Sequence, residues 1–318
     1  MIHIHASPDP CFLAPEPALP PSTNNPSAVA NWTTRTLLEW MRSAFEAKGI
    51  DSPRLSAEML LGHVIGCERL QLYTQADRPA GADELARLRE YVTRALRHEP
   101  IQYIVGEAWF FSHPFTVDSR VLIPRPSTET LLEHALQSLR EREADSPVRI
   151  ADIGTGSGCI SISALKALPD ATCLAVDLSP EAIELASANA ERHGVLDRIE
   201  FAQGDLLGPL EGREAFDLIL SNPPYIPDHE WDAVEPNVKD HEPPMALRSG
   251  PTGLELVGRL IEGAPTLIQR GGRLSIELAA CTADQALELA TQHALLADAE
   301  ILKDLDGLPR VLTALRTD

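Results

Sequence analysis

Asn222-Pro223-Pro224-Tyr225 follow the apolar run Phe216-Asp217-Leu218-Ile219-Leu220-Ser221, and together they hold the parts of a site for a planar nitrogen. The asparagine carboxamide and the peptide carbonyls offer hydrogen-bond acceptors, and the tyrosine ring offers a flat face. Prolines fix their own φ and carry no N–H, so the turn is stiff and its acceptors are placed before a ligand arrives. Such a turn can hold an –NH2 group. The same residues also make a plain rigid turn closing a buried strand, so the chemistry depends on what else converges on them.

A second group lies upstream, in Asp152-Ile153-Gly154-Thr155-Gly156-Ser157-Gly158. Glycines there let the backbone turn sharply and approach a ligand, and the helix that follows offers free N–H groups. Asp177, 19 residues beyond Gly158, ends the next apolar run. A carboxylate at that place can accept both hydroxyls of a ribose, or it can cap the helix that begins at Ser179-Pro180. A glycine loop followed by a ribose acid fits a dinucleotide or S-adenosylmethionine. Gly-x-Gly-x-Gly lacks the sixth-position glycine of the dinucleotide fingerprint, which favours the methyl donor, since that molecule has no pyrophosphate to cradle. Gly154, Thr155, Gly156, Ser157, Gly158, Asp177 and Asn222 are therefore expected on the donor side. Gly204-Asp205-Leu206 end the third run, with Asp205 a candidate acceptor for the adenine amino group and Leu206 packing nearby; either residue also fits an ordinary turn.

The elements that must position these residues follow from periodicity. Strand-like runs at 148–154, 172–178, 199–205, 216–222, 272–278, 299–305 and 310–316 alternate with helical stretches near 158–168, 180–193, 253–269 and 283–295. Alternation of this kind predicts an α/β domain over 124–318, with a mainly parallel seven-stranded Rossmann-like sheet covered on both faces. Only Asp306-Gly307-Leu308-Pro309 separate the last two runs, so these must form an antiparallel hairpin at the sheet edge. Residues 33–100 are helical in pattern, with Leu37, Met41, Phe45, Leu60, Val64, Leu85, Leu88 and Val92 at three- and four-residue spacing. The aromatic stretch 101–123, broken by Gly106 and Pro114, reads as a β-hairpin connector, and Pro124-Arg125-Pro126-Ser127-Thr128-Glu129 close it and open a helix through Thr130 to about Arg142. Residues 1–32, rich in proline and free of Lys and Arg, read as a disordered extension.

Charge and composition exclude several classes. The net charge is −20, and residues 101–318 carry 17 basic against 35 acidic side chains, which repels phosphate backbones and weighs against a nucleic-acid substrate. Five scattered cysteines without a Cys-x-x-Cys pair predict reduced thiols, and neither His3 with His5 nor His229 with His241 has company at metal-ligand spacing. No metal is expected. The chain has no long apolar run, and its start lacks a basic and then apolar leader pattern, so a cytoplasmic protein with no membrane span is expected.

With these residues in view, the chain resembles the HemK-like protein-glutamine methyltransferases, in the branch that modifies peptide-chain release factors. The resemblance is carried by Asp51-Ser52-Pro53-Arg54-Leu55-Ser56-Ala57-Glu58, Pro100 to Gly106, Val121 to Pro126 with Thr128-Glu129, the glycine loop, Asn-Pro-Pro-Tyr, Glu242-Pro243 with Ala246-Leu247, and Lys303-Asp304-Leu305 before Arg310-Val311. Ser127, Leu206 and Ala279 depart from the residues usual in that family. The resemblance implies methyl transfer from S-adenosylmethionine to the glutamine amide of a release factor's Gly-Gly-Gln tip by a monomer. Asn222, Pro223 and Tyr225 would be catalytic, and Pro224 and Phe110 would help to hold the substrate. Enzymes methylating adenine amines share Asn-Pro-Pro-Tyr, and a sister branch acts on a ribosomal protein. A nicotinamide-dependent oxidoreductase and a non-catalytic adenosine-binding protein are the readings from other classes.

Overall fold

A computed structural model describes residues 32–140 and 147–317. These divide into two compact units, one of residues 32–106 with 236–241 and the other of residues 107–235 with 242–317. Apart from Trp32, whose carbonyl accepts from the Ala80 N–H, the expected extension lies outside the described residues.

The first unit is helical: α1 (Thr34–Lys48), α2 (Pro53–Ile65), α3 (Arg69–Thr74), α4 (Ala82–Ala95) and α5 (Ile101–Val105). Thr33 and Thr36 exchange side-chain and backbone hydrogen bonds at the start of α1, which satisfies donors the helix cannot use internally. Ser52 precedes α2, but its side chain makes no cap bond. Leu37, Met41, Phe45, Leu60, Val64, Leu85, Leu88 and Val92 all enter one buried core, as their spacing requires, whereas Leu55 stays exposed. The charged exception to the apolar pattern is Glu58, buried on α2 and bonded to Arg54, Arg69 and the Tyr73 hydroxyl. These partners outweigh the burial that would raise its pKa and hold the carboxyl below its ordinary range. Ile101–Val105 is helical, unlike the extended start expected there. Ile101 and Ile104 bury one face at helical spacing, and Gly106 ends the turn at φ 75°.

The second unit opens with a hairpin, β1 (Glu107–Phe110) and β2 (His113–Thr116), followed by α6 (Pro126–Arg140). Its strands and helices then alternate: β3 (Arg149–Ile153), α7 (Cys159–Ala167), β4 (Thr172–Asp177), α8 (Pro180–Arg192), β5 (Ile199–Gln203), β6 (Phe216–Ser221), α9 (Glu255–Gly263), β7 (Ile268–Glu277), α10 (Ala283–Gln292), β8 (Leu296–Lys303) and β9 (Pro309–Arg316). The seven-stranded sheet has the order β5-β4-β3-β6-β7-β9-β8. Its first five strands run parallel, and the β8–β9 hairpin closes one edge antiparallel, as the short linker between those runs dictates.

Alternate residues of the central strands feed separate cores. Ile150, Leu218 and Leu220 pack with Leu131, Leu132, Ile160 and Ile162 on one face. Ala151, Ile153 and Ile219 pack with Val257, Leu260 and Ala286 on the other. Burial on both faces explains why β6 is buried at every position, and why it reads in sequence as a continuous run without alternation. The hairpin is stapled to α8 by Asn189, which accepts from the Thr116 N–H at 2.9 Å and donates to the Thr116 carbonyl at 3.0 Å. Among the described residues no helix is long and apolar enough to cross a membrane.

Candidate active site

Chain order reverses direction across the sheet between β3 and β6, which opens a crevice at the carboxyl ends of these strands. Register decides what meets there. Ser221 is paired with Ile153 on one side and Ile276 on the other, so the next residues of three adjacent strands are Gly154, Asn222 and Glu277. The Ser221 hydroxyl donates to the Ile153 carbonyl at 2.7 Å and pins the ends of β6 and β3 together. Asn222 is thereby delivered beside the glycine loop.

A cleft enclosing about 1090 Å3, with open solvent at its mouth, runs along these strand ends. Gly154, Thr155, Gly156, Ser157, Asp177, Asp205, Leu206, Asn222 and Pro224 all line it, so the structure brings most of the expected donor-side residues together. Gly156 takes φ 55°, and its N–H donates to Asp177 Oδ2 at 2.9 Å, while the Ser179 N–H donates to Oδ1 at 3.0 Å. Asp177 is not the cap of α8; that part is taken by Ser179, whose hydroxyl accepts from the Ala182 N–H. Burial raises the Asp177 pKa above its ordinary value, and the backbone N–H groups around it oppose the rise. Each carboxylate oxygen keeps a lone pair for the cleft.

Other expected residues have different surroundings. The Thr155 hydroxyl turns away into the protein and donates to Asp152 Oδ2 at 2.7 Å. Gly158 starts α7 at φ 79° and does not line the cleft; a Cβ there would lie 2.9 Å from Ile162 Cδ1 and 3.3 Å from Ala186 Cβ, so its part is helix packing. Asp205 is bonded to the Arg259 guanidinium at 2.6 Å in an exposed pair, a weak arrangement that a better partner can displace. Leu206 lies at the cleft with φ 46°, a left-handed conformation rare for a branched side chain.

A smaller cavity adjoins the first, lined by Leu122, Arg125, Asn222, Tyr225, Ile226, Ala246 and Leu247. Asn222 belongs to both. Two segments remote in sequence build the walls: Glu242, buried, accepts from the Ile123 N–H at 3.0 Å and pairs with the Arg125 guanidinium. The Ile226 N–H donates to the Leu247 carbonyl at 2.9 Å and holds the far side. Tyr225 turns its hydroxyl to Glu277 Oε1 at 3.4 Å, and burial with that carboxylate pushes the phenol well above its usual range. Pro223 is buried and lines neither of these spaces. Phe110 is not brought to the site. It is 1% exposed in the core with Phe115 and Leu131, because even positions of β1 face the protein interior and its exposed neighbour Trp109 faces out.

The sequence reading missed the buried polar residues behind the loop. Asp152, wholly buried, accepts from Thr155 and from the Ser161 N–H through Oδ2, while Oδ1 has no hydrogen-bond partner. Burial raises its pKa from 3.8 to about 6. Between those values the folded chain holds a proton that the unfolded chain has released, so stability falls as pH rises through the window, by an amount on the order of 3 kcal/mol. Asp152→Asn removes that titration. Thermal unfolding of variant and wild type, compared between about pH 4 and about pH 8, should show the difference moving in the variant's favour as pH rises. A difference independent of pH contradicts the assignment. Leu178 and Met245, both more than half exposed on the cleft wall, were also missed; large apolar side chains held open to solvent there suit a flat ring.

Residues 36–106 match the family described as the PrmC N-terminal domain, and residues 126–241 match the methyltransferase small domain. The release factor glutamine methyltransferase of Chlorobaculum tepidum is 43% identical over 290 residues, covering 89% of this chain and 97% of that protein. The protein of the same name from Rhodopirellula baltica is 40% identical, covering 89% and 96%, and that from Geobacter sulfurreducens is 40% identical, covering 88% and 96%. The chain belongs to the family of release factor glutamine methyltransferases.

Proposed function

We propose that this protein transfers a methyl group from S-adenosylmethionine to the side-chain amide nitrogen of the glutamine in the Gly-Gly-Gln motif of peptide-chain release factors. The observation that carries the reading is Asn222, which lies both on a cleft suited to an adenosine and on the small space beside Tyr225 and Leu247. Family membership with relatives named for this activity supports it. The cleft residues fit the donor: Asp177 has lone pairs free for ribose hydroxyls, Gly154 and Gly156 present backbone without Cβ, and Leu178 and Leu206 offer apolar faces to adenine. When bound, S-adenosylmethionine supplies a methyl group on positively charged sulfur, open to direct displacement.

An amide nitrogen is a poor nucleophile because its lone pair is delocalised into the carbonyl, so the protein's task is placement and electrostatic bias. Asn222 Oδ1 accepts one hydrogen of the glutamine –NH2 and aims the nitrogen into the cleft, and the Pro223 carbonyl, although Pro223 borders neither space, accepts the other once the peptide seats beside the motif. The same two acceptors stabilise the positive charge that grows on nitrogen. Tyr225 and Pro224 cover the amide and exclude water. No general base is needed, because an N-protonated amide is a strong acid and gives its proton to water. A monomer suffices, and the acidic surface disfavours nucleic acid.

The test is transfer of tritium from methyl-labelled S-adenosylmethionine to a purified release factor and to its Gly-Gly-Ala variant. Label on the first alone is the expected result. Label on added DNA or RNA, with none on the release factor, overturns the reading.

A further inference from the structure

We propose that Arg125 binds the α-carboxylate of the methyl donor, and that Glu242 holds the Arg125 guanidinium in place for that contact. The inference deepens the donor reading above and rests on it.

The Arg125 side chain is 19% exposed, and that of its partner Glu242 is 1% exposed. Arg125 Nη2 donates to Glu242 Oε1, and the Ile123 N–H donates to Oε2 at 3.0 Å. One buried carboxylate therefore ties the guanidinium to the backbone of its own segment and fixes where it points. Among the described residues Glu242 is the only hydrogen-bond partner of that guanidinium. A guanidinium carries five N–H donors in a rigid fork, so most of them stay open after the bond to Glu242. Open donors on a fixed cation at a cleft wall suit a carboxylate.

The cleft has two arginines, Arg120 and Arg125. Arg120 already faces carboxylates: Asp118 accepts from its Nε at 2.9 Å and from its Nη2 at 2.8 Å, and Glu184 lies 3.6 Å from Nη1. Glu184 belongs to α8, which starts just beyond Asp177, so Arg120 stands at the ribose end. Arg125 stands at the reacting end. With Leu122, Asn222 and Ala246 it lines both the cleft and the small space beside Tyr225.

Sulfur in the donor carries three carbon groups, and two of them have places already. The ribosyl group goes to Asp177 at the end of β4, and the methyl faces a nitrogen held by Asn222 at the end of β6. The amino-acid chain takes the remaining wall, built by Leu122, Pro124, Arg125 and Pro243, where Arg125 is the one cation. Its carboxylate meets the open donors of the guanidinium, while Glu242 keeps the rest of the fork still. Glu242 offsets part of the positive charge, so the contact is worth about 10- to 100-fold in affinity, as for a hydrogen bond to a charged group.

Calorimetry of the full-length protein with S-adenosylmethionine and with its decarboxylated form tests this without turnover. Wild type should bind the decarboxylated compound about 10- to 100-fold more weakly. In Arg125→Gln that preference should shrink to about threefold or less, through weaker binding of S-adenosylmethionine and near-wild-type binding of the decarboxylated compound. The single variant leaves Glu242 buried without its cation, so Arg125→Met combined with Glu242→Gln is the second; it removes both charges together and should lose the preference equally. An undiminished preference in the paired variant overturns the proposal. Equal weakening of both compounds also overturns it, since the arginine would then only hold the wall in shape. A preference lost in Arg120→Gln and kept in Arg125→Gln overturns it as well. Wild type that binds both compounds equally overturns this proposal and leaves the activity reading standing, whereas wild type that binds neither overturns the donor reading with it.

Discussion

Asn222→Ala is expected to lower the turnover number about 10²- to 10³-fold while S-adenosylmethionine affinity stays within about threefold. The expectation follows from where Asn222 lies. Its side chain borders both spaces but has no strong hold on the donor, whose ribose would be held by Asp177 and whose adenine would lie by Leu178 and Leu206. Removing the carboxamide takes away one of two acceptors for the charge that appears on nitrogen only in the transition state, and such interactions are read in kcat and not in binding. Single-turnover rates at saturating donor, set beside calorimetric affinity, separate the two. Equal loss of rate and affinity would mean that Asn222 holds the site in shape through its hydrogen bond to Thr128 and has no part in the chemistry.

Asp177→Ala should show the opposite emphasis. Two hydrogen bonds from ribose hydroxyls to a carboxylate are lost, so the donor dissociation constant should rise about 100-fold, while kcat at saturating donor should fall less than about tenfold. The loop itself would loosen, since the Gly156 and Ser179 N–H groups lose their acceptor. Titration adds a second signature. Burial raises the Asp177 pKa, and only the charged carboxylate can accept both hydroxyls, so donor affinity should fall as pH drops through the folded-state value. That pH dependence should vanish in Asp177→Ala. A wild-type affinity flat across acidic pH would contradict the role given to Asp177.

The sheet and the positions of the reactive residues were legible because both depend on local pattern. Buried parallel strands read as apolar runs, and each run ends in the residues that line the cleft: glycine loop, Asp177, Asp205 and Asn222. The residues that hold the site in shape were not legible, because their partners are far apart in the chain. Thr128 meets Asn222 from 94 residues away, and Glu242 meets Ile123 across 119. Nothing in local spacing announces such a pair.

Phe110 shows a different limit. An aromatic residue signals a large apolar surface to be covered, but in a short strand the face is set by alternation and by the turn. Here Phe111 and Ser112 form the hairpin turn with φ 49° and 63°, without the glycine or asparagine that usually marks it. The Phe111 N–H is held by Glu129 at 2.7 Å instead, a contact that the sequence does not display. The short helix α5 was concealed for a similar reason. Its aromatic and β-branched residues suggested a strand, while Ile101 and Ile104 had the spacing to bury a single helical face.

The central claim is that two oxygen acceptors, Asn222 Oδ1 and the Pro223 carbonyl, aim a carboxamide nitrogen at the donor methyl. A crystal structure of the protein with S-adenosylhomocysteine and a Gly-Gly-Gln peptide tests it most directly. The glutamine nitrogen should lie about 2.7–3.2 Å from both oxygens, with Asn222 Nδ2 turned to Thr128 and the sulfur on the open side of the nitrogen. A glutamine bound with its nitrogen away from these oxygens, or an Asn222 carboxamide presenting Nδ2 to it, would contradict the account.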